Sequence, residues 1–329
     1  MSLEQKSSSA LGQPPLRAKA SAENRSYALI TPSYYADFER CRLLVESTRQ
    51  FLAESVQHYI VIDRLDQALF APLASGRTHL LVKEDILPWW LVQLPFARRF
   101  WLSAKSLPVR GWIVQQLVKL SVNLAMPEDT FIFVDSGVFF VKPFDPNTRL
   151  RNGLMPLFRE AREPISPKIH SRLHEFIYRA GGLTRSADWQ TNAAQILDVK
   201  GNPPMTGSYV DSLVTWNRDT LAELQRHIEK VHNKPWIEVL CRELFLSEYV
   251  LYGVFCEYVL GIEEAGHYAD PTLVVRSHWN EVELSESELI QIRDTLEPYE
   301  AAVMINERAG VPPALIRKVF FDMPARGGH

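Results

Sequence analysis

Short apolar runs, each closed by a polar group, organise the first part of the chain. Tyr27-Ala-Leu-Ile-Thr31 is apolar without alternation, as a strand buried on both faces requires. Pro32 and Ser33 end it. Phe38, Cys41, Leu44, Val45, Thr48 and Leu52 then recur at spacings of three and four, which makes one apolar helix face with Asp37 as its N-cap. His58 to Asp63 and His79 to Lys83 read as further strands. The first ends on a carboxylate, and Glu84 and Asp85 follow the second. Strands joined by a crossover helix, with polar groups just past their ends, predict a doubly wound α/β sheet with a ligand crevice there.

Farther on, Gly111 to Ala125 reads as one largely buried helix closed by Pro127. Phe131 to Val134 is strongly strand-like, Asp135-Ser136-Gly137 interrupts it, and Val138 to Val141 resumes. Such a break puts Asp135 at a strand end with its backbone open to a ligand. Residues 151–200 read as mostly helical and irregular, and Met205 to Tyr209 and Ser212 to Thr215 as short strands. Asn217 caps a helix whose stripe is Leu221, Leu224, Ile228 and Val231. Ser247 to Val259 reads as a helix, and Leu273 to Arg276 as a strand leading into Ser277-His278-Trp279. Ser285 with Glu288 predicts a capping box. Residues 1–25 read as a disordered leader and 323–329 as a tail.

Composition narrows the classes. With 46% hydrophobic residues and a net charge of -3, the chain is neither wholly disordered nor a general nucleic-acid binder. Three Cys without a CxxC spacing give no disulfide scaffold and no zinc cluster. Neither an apolar signal core nor an apolar run near ~18 residues is present, so a transmembrane helix is not expected and the cytoplasm is the expected location. Trp89, Trp90 and Leu91 with Phe96, Arg98, Arg99, Phe100 and Trp101 form an apolar and basic cluster. It reads as a core-facing helix, with peripheral membrane contact as the alternative.

Four constellations carry candidate chemistry. Thr31-Pro32-Ser33-Tyr34 is a plain βα turn or a nucleotide loop; no glycine-rich dinucleotide fingerprint and no phosphate-binding loop accompanies it. Asp135-Ser136-Gly137 is a hairpin turn or a carboxylate paired with a cation, because a carboxylate in apolar surroundings needs a partner. Trp112, Gln115, Gln116 and Lys119 share a helix face that is solvent-exposed or turned to a base and phosphates. Glu248 and His278 are a helix-start carboxylate and a structural histidine, unless they converge on Asp135.

Phe131 to Phe144 resembles the segment around the DxD motif of GT-A glycosyltransferases. The runs Gly111 to Leu120, Trp216-Asn217-Arg218 and Ser247 to Gly253, in that order, resemble a bacterial family of unknown function assigned to the nucleotide-diphospho-sugar transferases. The resemblance covers about Tyr27 to Asn280. It implies a GT-A-like α/β fold, with a mixed, mainly parallel sheet flanked by helices in a single domain. That domain would run over 26–322, with a nucleotide-sugar half at 26–150 and an acceptor half at 151–322. It also implies a nucleoside-diphosphate-sugar donor and a divalent cation, Mn²⁺ or Mg²⁺, at Asp135. Gly137 stands where the second Asp belongs, so either His278 and water carry the ion, or another residue substitutes, or the protein works without metal, or it has lost activity.

On the same resemblance, Thr31, Pro32, Ser33, Tyr34 and Asp63 hold the base and ribose, and Gln116 and Lys119 face the diphosphate. If transfer inverts configuration, Glu248 takes the acceptor proton, with Asp211 behind it; if it retains configuration, Glu248 binds the acceptor sugar. The implied activity is sugar transfer to an unidentified hydroxyl, of a bacterial glycan or glycoconjugate in polysaccharide biosynthesis. The alternatives are an inactive GT-A-like binder of sugar nucleotide or glycan, and another nucleotide-processing α/β enzyme. Trp112, Trp216 and Trp279 fall inside candidate site segments, and indole faces pack well on sugar rings.

Overall fold

The structure is a computed structural model that describes residues 25–94, 100–161, 189–201, 206–243 and 245–322. Strands are numbered along the chain. The central sheet holds β1 (Tyr27–Pro32), β2 (Val56–Ile62), β3 (Thr78–Val82), β7 (Thr130–Val134) and β12 (Leu213–Asn217), in the order β12-β7-β1-β2-β3. All neighbours are parallel except β12, which runs antiparallel to β7. Every residue of β1, β7 and β12 is buried, which is why these strands read as continuous apolar runs. Register aligns Tyr27 with both Val56 and Thr130, so Ser33, Asp63 and Asp135 leave the sheet along one edge. Because β12 pairs with β7, the halves 26–150 and 151–322 share this sheet. The expected fold class, a mixed and mainly parallel α/β sheet flanked by helices, is the one observed.

The interrupted strand is not one strand. β8 (Val138–Phe140) belongs to a separate sheet, with β14 (Val275–His278) and β15 (Ala302–Ile305) in the order β14-β15-β8. Asp135-Ser136-Gly137 is the turn between the two sheets, closed by Val138 N donating to Asp135 O at 3.0 Å. Both faces of β8 are buried. Val138 and Phe140 join the core under Leu29 and Leu44, and Phe139 packs with Leu43, Val303 and Ile305.

Other expectations are corrected by tertiary context. The segment around Trp89 to Trp101 is not a helix; β4 (Leu91–Gln93), β5 (Phe100–Ser103) and β6 (Val109–Arg110) form a three-stranded antiparallel sheet. Phe96, Arg98 and Arg99 lie outside the described residues. The 151–200 segment opens with β9 (Met155–Phe158) and β10 (Glu160–Ala161), and its described helix is Trp189–Ile196. β9 pairs with β13 (His267–Asp270), and β10 with β11 (Gly207–Ser208). Met205 and the tail lie outside the described residues, as does the leader except Arg25. Arg25 belongs to the fold, donating to Thr130 Oγ1 at 3.1 Å and Asn217 Oδ1 at 3.0 Å.

The helix Gly111–Lys119 stops early because the Ser121 hydroxyl bonds back to Leu117 O at 2.7 Å; a short helix, Val122–Ala125, follows. Asn217 precedes the helix Arg218–His232 but does not cap it; its amide donates to Ala265 O at 3.0 Å instead. Trp216 is fully buried and stacks on Tyr252 at 4.6 Å, so it is a core residue and not a sugar platform. The helix Glu248–Val254 widens into a π-helical stretch, Phe255–Leu260. The capping box at Ser285 and Glu288 forms as expected.

Gly253 lies against the Tyr209 ring, where a Cβ would overlap the ring atoms. Gly253→Ala is therefore expected to destabilise by about 2 kcal/mol net of its helix-propensity gain, read as a lower urea midpoint at unchanged slope. An unchanged or higher midpoint would show that Tyr209 moves aside without cost.

Candidate functional site

The edge where β1, β2 and β7 end opens into a cavity of about 890 Å³. Its first wall follows β1: Pro32, Ser33 and Tyr34, then Tyr35, Asp37 and Arg40 leading into the helix Phe38–Phe51. Tyr34 and Tyr35 are 37% and 53% exposed, with their rings edge to face at 5.5 Å. Thr31 stays behind this wall, with its hydroxyl bonded to His58 Nε2 at 3.0 Å. Burial pushes the His58 imidazole down to about 3, so it is neutral.

The second wall begins at Asp63, the residue after β2. Lys83 Nζ lies 2.8 Å from one Asp63 oxygen, and Gln93 Nε2 donates to the other at 3.1 Å. All three line the cavity, so Asp63 presents a fixed, charge-compensated carboxylate.

The helix Gly111–Lys119 divides the four residues expected on one face. Trp112 and Gln115 line the cavity, whereas Gln116 and Lys119 are buried away from its surface. Adjacent residues diverge by about 100° around a helix, which separates Gln115 from Gln116; Lys119 lies about 10 Å farther along the axis than Trp112.

Lys119 is held by three partners at once. Its Nζ lies 2.9 Å from Glu248 Oε1, donates to Tyr249 OH at 2.8 Å, and sits 3.7 Å from Asp135 Oδ1. Burial by itself would pull the ammonium down, but Glu248, Tyr249 and Asp135 hold it well above the usual lysine range. Gln116 Oε1 accepts from the Glu248 backbone N–H at 3.2 Å. Glu248 and Gln116 therefore form a buried layer under the site and do not line the cavity. Asp135 does line it, with its side chain 51% exposed.

Ser136 Oγ donates to Asp37 Oδ2 at 2.8 Å. Asp37 thus does not cap its helix; it ties the start of that helix to the Asp135-Ser136-Gly137 turn. Desolvation raises the Asp37 carboxyl above the usual carboxylate range; the Ser136 bond and Arg40 oppose the rise, and Glu307 adds to it. Burial lowers the Arg40 guanidinium, whose Nη1 donates to Ile305 O at 2.8 Å.

Gly137 faces β15 closely. A Cβ there would be 3.1 Å from Ile305 O and 3.9 Å from an Arg40 guanidinium nitrogen. A side chain at this position would be tight against strand backbone and would have a guanidinium beside it. His278 is on β14, separated from β8 by β15, and it does not line the cavity. The expected ligand pair of Asp135 and His278 is not assembled. Among the described residues no group of three or more His, Cys, Asp or Glu converges as metal ligands. Asp211, just before β12, is buried and also lies outside the cavity lining.

Trp279 lines the cavity with 56% exposure, and Trp112 with 42%. Sequence reasoning missed Asp37, Arg40, Lys83, Arg110 and the segment Met304 to Glu307 as wall residues. The last had a usable signal, since Ala302-Val-Met-Ile305 is an apolar run closed by Asn306 and Glu307, the pattern that marked β1 and β2. Arg40 carried none, being one polar residue on an amphipathic helix.

Fold and site define a mixed α/β protein with a charged, aromatic-rimmed cavity at the C-terminal edge of its parallel strands. Residues 27–295 match DUF6492, a family of unknown function, and the chain belongs to that family. No curated protein matches the chain. Among solved structures it is similar to mouse xyloside xylosyltransferase 1 in its apo form, at 10% identity and a TM-score of 0.42, over 87% of this chain and 100% of that one.

Two outcomes test the charges. Lys119→Met is expected to destabilise by about 4 kcal/mol, because it leaves Glu248 buried without its cation. Lys119→Met with Glu248→Leu is expected to recover more than half of that loss in a denaturation cycle; additive losses would show that the pair is not coupled. Burial pushes the Asp211 carboxyl up to about 6 from 3.8, so it binds its proton more tightly folded than unfolded. Its contribution to stability is full below the ordinary value and is lost as pH rises through about 6. Asp211→Asn is expected to flatten this decline, gaining about 2 kcal/mol on the parent chain between roughly pH 4 and pH 7. Parallel pH profiles of the two chains would contradict it.

Proposed function

We propose that this protein is a GT-A-like sugar transferase, moving a sugar from a nucleoside-diphosphate-sugar donor to an acceptor hydroxyl. One coincidence of placement supports the reading. Three strand-end segments (Ser33-Tyr34, Asp63 and Asp135-Ser136-Gly137), together with Trp112 and Gln115, meet in a single cavity. The donor base and ribose take the side formed by Tyr34, Tyr35 and Asp63, where aromatic faces adjoin a fixed carboxylate. The sugar and acceptor take the side of Trp112 and Trp279. The acceptor is a hydroxyl of a glycan or glycoconjugate, met in the cytoplasm.

In the transfer, the bond from the anomeric carbon to the diphosphate oxygen breaks and a bond to the acceptor oxygen forms. The departing diphosphate gains negative charge, and the acceptor proton passes to a carboxylate. Arg40 and Arg110, both in the cavity wall, supply positive charge to the leaving group. Asp37 faces the cavity with its proton affinity raised by burial, which suits it to receive the acceptor proton. Glu248, held on Lys119, becomes a positioning group that fixes the ammonium beside Asp135. A reading as a binder without transfer is favoured by Gly137, and donor turnover separates the two.

A thermal-shift panel of UDP-, GDP- and CMP-sugars tests the donor site. One nucleotide is expected to raise the melting temperature, and to do so in EDTA as well as in Mn²⁺. Asp135→Ala is expected to abolish that shift while the fold persists, whereas Asp37→Asn keeps it and lowers donor turnover about 100-fold. No shift with any nucleotide, with or without Mn²⁺, would sink the reading.

A further inference from the structure

The β4-β5-β6 sheet carries an apolar face that the described residues leave uncovered. Along its strands the side chains alternate: Leu91, Trp101 and Val109 point into the core, and Val92, Phe100 and Leu102 point outward. Val92 and Leu102 are directly opposite each other in the ladder. The turns at the ends of the sheet add Trp89, 84% exposed, and Leu107, 61% exposed. Large apolar side chains exposed to this degree on one small sheet mark an interaction surface.

Charge identifies the occupant. From Trp89 to Gly111 the sequence has no Asp or Glu, and it has Arg98, Arg99, Lys105 and Arg110, in a chain where 39 acids outnumber 36 bases. Lys105 pairs with Glu238 beyond the sheet and lies 5.3 Å from the Trp90 ring centroid; Arg110 is exposed on β6. Exposed indole and aliphatic side chains, in a stretch whose sequence carries four bases and no acid, complement a layer of anionic headgroups over hydrocarbon.

We propose that this face docks the protein on an anionic membrane surface. Phe100, Trp101 and Arg110 also belong to the cavity wall, so docking sets the cavity beside the headgroups. An acceptor carried at the membrane then reaches the site without leaving the bilayer. That last step rests on the transferase reading; the docking itself does not.

The test is flotation of the full chain with vesicles of phosphatidylcholine containing phosphatidylglycerol, against vesicles of phosphatidylcholine alone. Binding to the anionic vesicles only, weakened by salt, is expected. The double variant Trp89→Ser and Leu107→Ser changes two exposed side chains. It is expected to lower the bound fraction about tenfold, with melting temperature and nucleotide response unchanged. Absence of binding to anionic vesicles, or equal binding by the variant, overturns the proposal. A concentration-dependent dimer in light scattering that the variant abolishes overturns it too, by making a second copy the occupant. Nucleotide response is measured separately, so failure of the donor site and failure of docking are distinguishable.

Discussion

The candidate site is built around the burial of one ammonium group. Taking the Lys119 charge out of water is costly, and the cost is offset only because Glu248, Tyr249 and Asp135 close on it together. These partners come from two places far apart in the chain. Glu248 and Tyr249 open the helix Glu248–Val254, and Asp135 follows β7. The helix Gly111–Lys119 is thereby locked against both, and its exposed end, with Trp112 and Gln115, is aimed into the cavity. A site built this way has a rigid base, and its reactive surface is confined to what projects above the buried layer.

The second constraint is the turn at Asp135-Ser136-Gly137, which moves the chain from one sheet into another. Small residues are needed there because β15 passes close by, with Ile305 O within contact of the missing Cβ of Gly137. That approach brings the polar end of β15 into the cavity and Arg40 against the turn. An acid at position 137 would meet a strand carbonyl, with the Arg40 guanidinium beside it. The electrostatic demand of a departing diphosphate is one that a guanidinium or a metal cation meets.

Aromatic residues sort by the same geometry. Trp216 and Tyr252 stack in the core beneath β12, where they hold sheet and helices together. Tyr34, Tyr35, Trp112 and Trp279 keep a third or more of their surface exposed around the cavity. Trp89 stands outside both groups, in a turn at the end of the β4-β5-β6 sheet. Sequence position alone does not separate these roles; burial does.

Strand ends were legible in the chain itself. A strand buried on both sides has to be written as a continuous apolar run, so β1 and β7 announce themselves, and the first polar residue after each marks the functional edge. The capping box at Ser285 was readable for a similar reason, since both of its partners lie within one turn. What only the tertiary structure decided is where the charges went. Asp37 satisfied its local pattern as a cap yet bonds Ser136, Glu248 looked like a free base yet is held by Lys119, and His278 is kept from Asp135 by an intervening strand. The physical reason is range. Helix and strand patterns depend on neighbours a few residues away, whereas the partners that fix these charges lie as far as 130 residues off.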